Sequence, residues 1–154
     1  MNDTIAVILA AGLGTRMKST RPKALFEVAG LPLVAYPIRA ALAAGIERVA
    51  VVVGHQADTV RERILALFPG ANIAFVTQEQ PLGTAHATRC AAAVAAPVRN
   101  VLLMNGDLPL LTAPTINALR TAFDASGGTF ALLTSIVDDP GGFGRIVRDD
   151  AGAV

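Results

Sequence analysis

Apolar residues in this chain gather in short unbroken runs rather than alternating with polar ones. Residues 5–9, 48–53, 73–76, 101–104 and 130–137 are such runs, rich in Val, Ile, Leu and Phe. Their length and β-branched content predict strands, and their lack of alternation predicts burial on both faces. Between them, residues 33–44, 58–68, 84–95 and 113–125 carry apolar side chains at helical spacing. Gly45 and Gly70 are placed to end helices, and Thr112 with Pro114 to start one, whereas Pro37 leaves the start of the first helix open. Strands of this kind alternating with helices predict a mostly parallel sheet covered on both sides, an α/β, Rossmann-like, doubly wound fold. Residues 144–148 read as one more strand and 149–152 as a turn. No internal repeat or low-complexity linker divides residues 1–154, so one domain is expected.

Composition agrees. A chain of 154 residues suits one domain, and 53% hydrophobic against 16% charged residues allows a sizeable core. With six Phe, one Tyr and no Trp, that core must be aliphatic. The net charge of +1, without a basic block outside the first loop, gives no sign of a nucleic-acid or anionic-membrane partner. Apolar stretches are broken well before about 18 residues, so no transmembrane helix is expected. The single Cys90 excludes an internal disulfide, and the N-terminus lacks the basic start of a secretory signal. A cytoplasmic location follows as the expectation.

Ligands in open parallel sheets bind outside the carboxyl ends of the strands. Four polar or glycine-bearing segments fall there: the loop after Leu9, Gly54-His55-Gln56, residues 78–84 and residues 105–110. The first, residues 9–23, reads Leu-Ala-Ala-Gly-Leu-Gly-Thr-Arg-Met-Lys-Ser-Thr-Arg-Pro-Lys. Gly12 and Gly14 let backbone N–H groups approach an anion, Thr15 adds a hydroxyl, and Arg16 and Lys23 add positive charge, as a phosphate loop requires. It is not a dinucleotide fingerprint, because Met17 stands where a third glycine belongs and Pro22 interrupts a following helix. It is not a Walker loop either, since no Gly-Lys-Ser/Thr occurs there.

Asp107, in Asn105-Gly106-Asp107-Leu108-Pro109, leaves a buried strand end. It could hold Mg²⁺ shared with substrate phosphates, or cap a turn before Pro109. Gln78 offers an amide donor and acceptor suited to an imide edge such as uracil's, Gly83 permits close approach, and Thr84 can cap the next helix. His55 reads as a surface-loop histidine, His86 as a residue that orders its loop, and Cys90 as a small buried hydrophobe. One Cys and two separated His make no zinc site. Arg61-Glu62-Arg63 reads as a solvated helix face.

The loop L-A-A-G-x-G-T-R-M-x4-P-K closely resembles the signature of sugar-phosphate nucleotidylyltransferases. Q-x-x-x-L-G-T-A-H-A at 78–87 is similar to the base-reading segment of bacterial N-acetylglucosamine-1-phosphate uridylyltransferases, and residues 105–110 and 139–148 extend that likeness. The resemblance implies a nucleotide-diphospho-sugar transferase fold and Mg²⁺-dependent uridylyl transfer from UTP to N-acetylglucosamine-1-phosphate, feeding cell-envelope precursors. It implies nucleotide contacts at Leu9, Ala10, Ala11, Gly12, Gly14, Thr15, Lys23, Gln78, Gly83, Thr84, Asn105 and Gly106. Arg16 and Lys23 would be catalytic, Asp107 would be a metal ligand, and Gly144 would meet the amino sugar through its backbone. Phe26 and Asn105 depart from the His and Tyr common in that family. The family's remaining sugar-binding segment and its left-handed β-helix acetyltransferase half lie outside these 154 residues. Two alternatives stay open: a module that binds UTP without turnover, and a nucleotidylyltransferase for another base, sugar phosphate or molybdopterin. Oligomeric state is not readable.

Overall fold

A computed structural model describes residues 3–14, 17–96 and 98–152. In chain order the elements are β1 (Thr4–Leu9), a short 3-10 turn (Lys23–Leu25), β2 (Glu27–Val28), β3 (Leu31–Pro32), α1 (Ala35–Ala43) and β4 (Arg48–Val53). Then follow α2 (Ala57–Leu67), β5 (Asn72–Thr77), α3 (Thr84–Cys90), α4 (Ala92–Ala95), β6 (Asn100–Asn105) and α5 (Ala113–Ser126). The main sheet has four strands in the order β5-β4-β1-β6, all parallel, with Val7 of β1 opposite Ala50 of β4 and Leu103 of β6.

The unbroken apolar runs are explained by cover on both faces. On one face Ala6, Ile8, Val49, Val51, Val53 and Met104 pack against Ile38 of α1, Val60 and Ile64 of α2 and Ile116 of α5. On the other, Ile5, Val7, Ala50 and Val52 meet Ala87 of α3 and Ala91. Successive side chains of β1 thus serve opposite cores, as the strand period of two demands. The sheet is doubly wound, as the pattern predicts.

Helix boundaries follow local chemistry. The Thr112 side chain accepts the Thr115 N–H at 3.4 Å and caps α5, with Pro114 in the first turn. The predicted helix 84–95 is instead two, with the break at Ala91, where both Val94 and Ala95 N–H groups reach the Ala91 carbonyl. Ala87 and Ala91 are buried against the sheet and Ala92 and Ala93 are exposed, while Val94 and Ala95 of α4 pack against the same core. The two-stranded ribbon β2–β3 was not foreseen, because two-residue strands carry no periodic signal; Tyr36 anchors it through a hydroxyl bond to the Val28 carbonyl.

Residues 130–137 and 144–148 form no strand, against expectation. Phe130, Leu132, Leu133 and Ile136 are exposed, and among the described residues β6 pairs only with β1. A strand of this composition needs a ladder partner and cover on both faces, and β-propensity supplies neither. No helix among the described residues is long and apolar enough to cross a membrane.

The difference between the two kinds of apolar residue is measurable. Ile8→Ala, in the shared core, should lower unfolding stability by about 2–5 kcal/mol. Ile136→Ala should change it by less than about 0.5 kcal/mol. Urea denaturation of both variants would show it, and a large loss at Ile136 would place that segment in the core.

Candidate active site

β1 is central, and the chain runs from it outward to β4 and β5 before returning to its other side at β6. This reversal makes a crevice at the carboxyl ends of β1 and β6, where open α/β sheets bind ligands. A cavity of about 460 Å³ lies there. Its lining includes Leu9, Ala10, Ala11, Gly12, Gly14, Lys23, Gln78, Gly83, Thr84, Asn105, Gly106 and Asp107. Residues from three separate loops, widely spaced in sequence, therefore share one wall-to-wall pocket. Thr15 and Arg16 lie outside the described residues. Gly144 is exposed and is not brought to the cavity.

Among its described residues the first loop presents unbonded backbone amides to the cavity. The Ala10 N–H still bonds the Val52 carbonyl at 2.8 Å, and the Met17 N–H bonds Gly14 at 2.8 Å. Among the described residues no hydrogen bond uses the intervening N–H groups of Gly12, Leu13 and Gly14, all of which line the cavity. Gly14 has φ +59°, and a Cβ there would lie 2.7 Å from Cβ of Lys23. Its small size lets the Lys23 stem cross the loop. At Gly12 a Cβ would meet nothing within 4 Å, so that position faces open space.

Lys23 Nζ stands 2.5 Å from Oδ2 of Asp107, and both side chains are 38% exposed. The pair joins two segments 84 residues apart and puts one positive and one negative group at the cavity mouth. Asp107 thus pairs with a lysine rather than capping its own turn.

Several contacts that shape the site carry no sequence signal. A Cβ at Gly54 would lie 2.8 Å from the Ala11 carbonyl oxygen, and one at Gly106 would lie 2.9 Å from the Leu9 carbonyl oxygen. Gly106 also donates its N–H to that Leu9 oxygen at 2.8 Å, so its N–H holds the β1 exit and is not offered to a nucleotide. Gln56, at φ +57°, donates from Nε2 to the Thr20 carbonyl at 2.9 Å and ties the far side of the loop to the β4 exit. Glu27 takes Arg21 at 3.3 Å and Arg63 at 3.5 Å, and Glu62 and Arg63 lie exposed as a solvated helix face requires. Arg61 lies over the Phe75 ring at 5.4 Å.

The 78–87 segment differs in detail from its sequence reading. Gly83, at φ +92°, is the residue before α3, and Thr84 is the first helical residue with no capping bond from its side chain. Gln78 is 7% exposed and its Nε2 contacts the Gly83 carbonyl at 3.2 Å and His86 Nδ1 at 2.9 Å. His86 does order its loop, through Gln78. Cys90 is half-buried, with Sγ 4.0 Å from His86 Nδ1.

Residues 6–143 match the family model described as the MobA-like NTP transferase domain. The chain belongs to that family. Its fold is the nucleotide-diphospho-sugar transferase fold, and its family chemistry is nucleotidyl transfer. Among curated relatives, the Bifunctional protein GlmU of Heliobacterium modesticaldum is 43% identical over 100% of this chain and 33% of its own length. The Bifunctional protein GlmU of Anaeromyxobacter sp. (strain K) is 47% identical over 96% of this chain and 30% of its own. The chain therefore spans about a third of these relatives. Among solved structures, the inositol-1-phosphate CTP transferase of T. maritima superposes with a TM-score of 0.58 at 28% identity, over 67% of this chain and 43% of that one.

The two tight glycines of this nucleotidyltransferase domain give a direct test of how the crevice is assembled. Gly54→Ala and Gly106→Ala should each cost about 1–3 kcal/mol by overpacking against backbone. Gly12→Ala should be nearly neutral to folding. Thermal or urea unfolding would separate them, and equal effects at all three positions would refute the close-approach account.

Proposed function

We propose that this domain transfers a uridylyl group from UTP to N-acetylglucosamine-1-phosphate, giving UDP-N-acetylglucosamine and pyrophosphate. The observation that carries the proposal is the convergence of the Gly12–Gly14 amides, Lys23, Asp107 and Gln78 on one cavity. The likeness to GlmU proteins supports the choice of sugar and base.

The reaction needs no general base. A sugar-1-phosphate oxygen is already anionic at neutral pH. It attacks the α-phosphorus of UTP in line, forming one P–O bond as the α–β bridging P–O bond breaks and pyrophosphate leaves. Catalysis is then positioning and neutralisation of charge. The unpartnered loop amides and Lys23 supply donors to the phosphates, with Arg16 assigned the same task from the sequence. Gln78 meets the base, with Gly83 and Thr84 beside it.

Mg²⁺ is the metal that the resemblance implies. Among the described residues there is no group of three or more His, Cys, Asp or Glu side chains that could cage a metal, and Asp107 is the carboxylate of the cavity. That donor set fits Mg²⁺ arriving with a triphosphate, since this ion usually relies on one or two carboxylates plus phosphate and water oxygens. Asp107 would hold it, and when bound it would add positive charge beside the phosphates. Gly144 stays a proposed sugar contact, which would require the 138–152 segment to close over the cavity.

A second reading, UTP binding without turnover, draws on Gly144 lying away from the cavity. Calorimetric titration with UTP and Mg²⁺, beside a pyrophosphate-release assay with N-acetylglucosamine-1-phosphate, separates the two. Lys23→Ala and Asp107→Asn should each lower product formation about 10²–10³-fold. Because their ion pair is substantially exposed, folding stability should move by less than about 1 kcal/mol. Unchanged UDP-sugar formation in both variants would sink the proposal.

A further inference from the structure

Gln78 is nine-tenths buried, lines the nucleotide cavity, and carries an amide head whose two ends can do opposite things. Its –NH₂ has two hydrogens and faces two acceptors, the Gly83 carbonyl at 3.2 Å and His86 Nδ1 at 2.9 Å. The backbone oxygen can only accept, which fixes the sense of the amide. His86 Nδ1 can then take the second hydrogen only as the neutral tautomer with its proton on Nε2. Cys90 Sγ, 4.0 Å from the same nitrogen, is too distant and too weak a donor to displace the amide. Oε1 has no hydrogen-bond partner among the described residues, and no buried side-chain oxygen or nitrogen there is left unpaired. It therefore keeps solvent-accessible surface, on a residue that lines the cavity.

We infer that His86 is a positioning residue which, by holding the Gln78 amide nitrogen toward its own loop, leaves Oε1 as an acceptor-only probe for the base. This rests on the uridylyl-transfer reading and adds to it the atom that chooses. Uracil presents an N–H at ring position 3 and donates to such a probe, whereas cytosine presents an unprotonated ring nitrogen there, acceptor against acceptor. Turning the amide over would set Oε1 against both the Gly83 carbonyl and Nδ1. Without His86 only the 3.2 Å bond to Gly83 resists that rotation. Sites that match a substrate's donors discriminate strongly because the wrong base leaves a polar group unpaired.

The test uses the whole chain with Mg²⁺ and either UTP or CTP, titrated calorimetrically into wild type, His86→Asn and His86→Leu. Asn can set an acceptor near the Nδ1 position and should keep the UTP-over-CTP ratio within about threefold. Leu fills volume without an acceptor and should cut the ratio about tenfold or more, since an unmatched polar contact is worth about that factor. A purely structural role for His86 would weaken both nucleotides alike and leave the ratio intact, which overturns the inference. Should His86→Leu fail to fold, the imidazole nitrogen shifts of wild-type protein decide: the Nε2–H tautomer is expected, and Nδ1–H refutes the network. A wild type that binds UTP and CTP equally would refute base selection at this site while leaving the tautomer result to stand separately.

Discussion

Close approach of backbone at the carboxyl ends of β1, β4 and β6 is the constraint on which the site depends. Gly54 and Gly106 stand on either side of the β1 exit, each with its Cα where a Cβ would strike a carbonyl oxygen of residues 9–11. The strand pairing sets this geometry, because β4 and β6 flank β1 in parallel register up to its last residue. Without side chains at those two points the neighbouring loops fold in against the loop after β1 rather than splaying away. The aliphatic cores on both faces hold the three strands in that register, so packing far from the cavity decides the spacing within it.

From that pinch point the phosphate loop is fastened at successive places. Ala10 is bonded to β4, Gly106 to Leu9, Gln56 to Thr20, and Lys23 to Asp107. Between Ala10 and the Lys23 crossing, the described residues Gly12, Leu13 and Gly14 line the cavity with N–H groups that have no bond among the described residues. A loop held at its edges with its central amides unpartnered suits the phosphate contacts proposed for it, because the ordering of backbone is done by folding and not by the ligand.

The β-branched runs made four strands legible, and 48–53 coincides with β4 to the residue, because burial on both faces leaves an uninterrupted apolar signature. The same signature at 130–137 misled, since a run of apolar residues states a need for partners but not their presence. The site residues at strand exits were legible as types: Gly14, Lys23, Gln78 and Asp107 do share a cavity. Their couplings were not. Nothing in the sequence says that Gln56 reaches Thr20 across 36 residues, or that Gln78 gives its nitrogen to His86. Nor does it say that a Cβ at Gly106 would strike the Leu9 carbonyl oxygen. Gln56–Thr20 and Gly106–Leu9 join segments far apart in sequence, and Gln78–His86 depends on how the 78–83 loop turns into α3, so spacing along the chain encodes none of them.

The Lys23–Asp107 pair shows how weak coupling can suit a catalytic site. Both groups keep more than a third of their side-chain surface exposed, so water screens their attraction and the pair contributes little to folding. A deeply buried pair would resist separation, since parting it leaves a charge uncompensated in a medium that solvates it poorly. Here either partner can release the other at small cost; under the proposed reaction phosphate oxygens would take the ammonium and a cation the carboxylate. As folded, the two keep the cavity mouth close to neutral and hold the ends of two loops at the spacing the pocket requires. An ion pair placed at a strand exit thus serves folding only slightly, and that slightness is what would leave both charges available to a triphosphate under the proposed function.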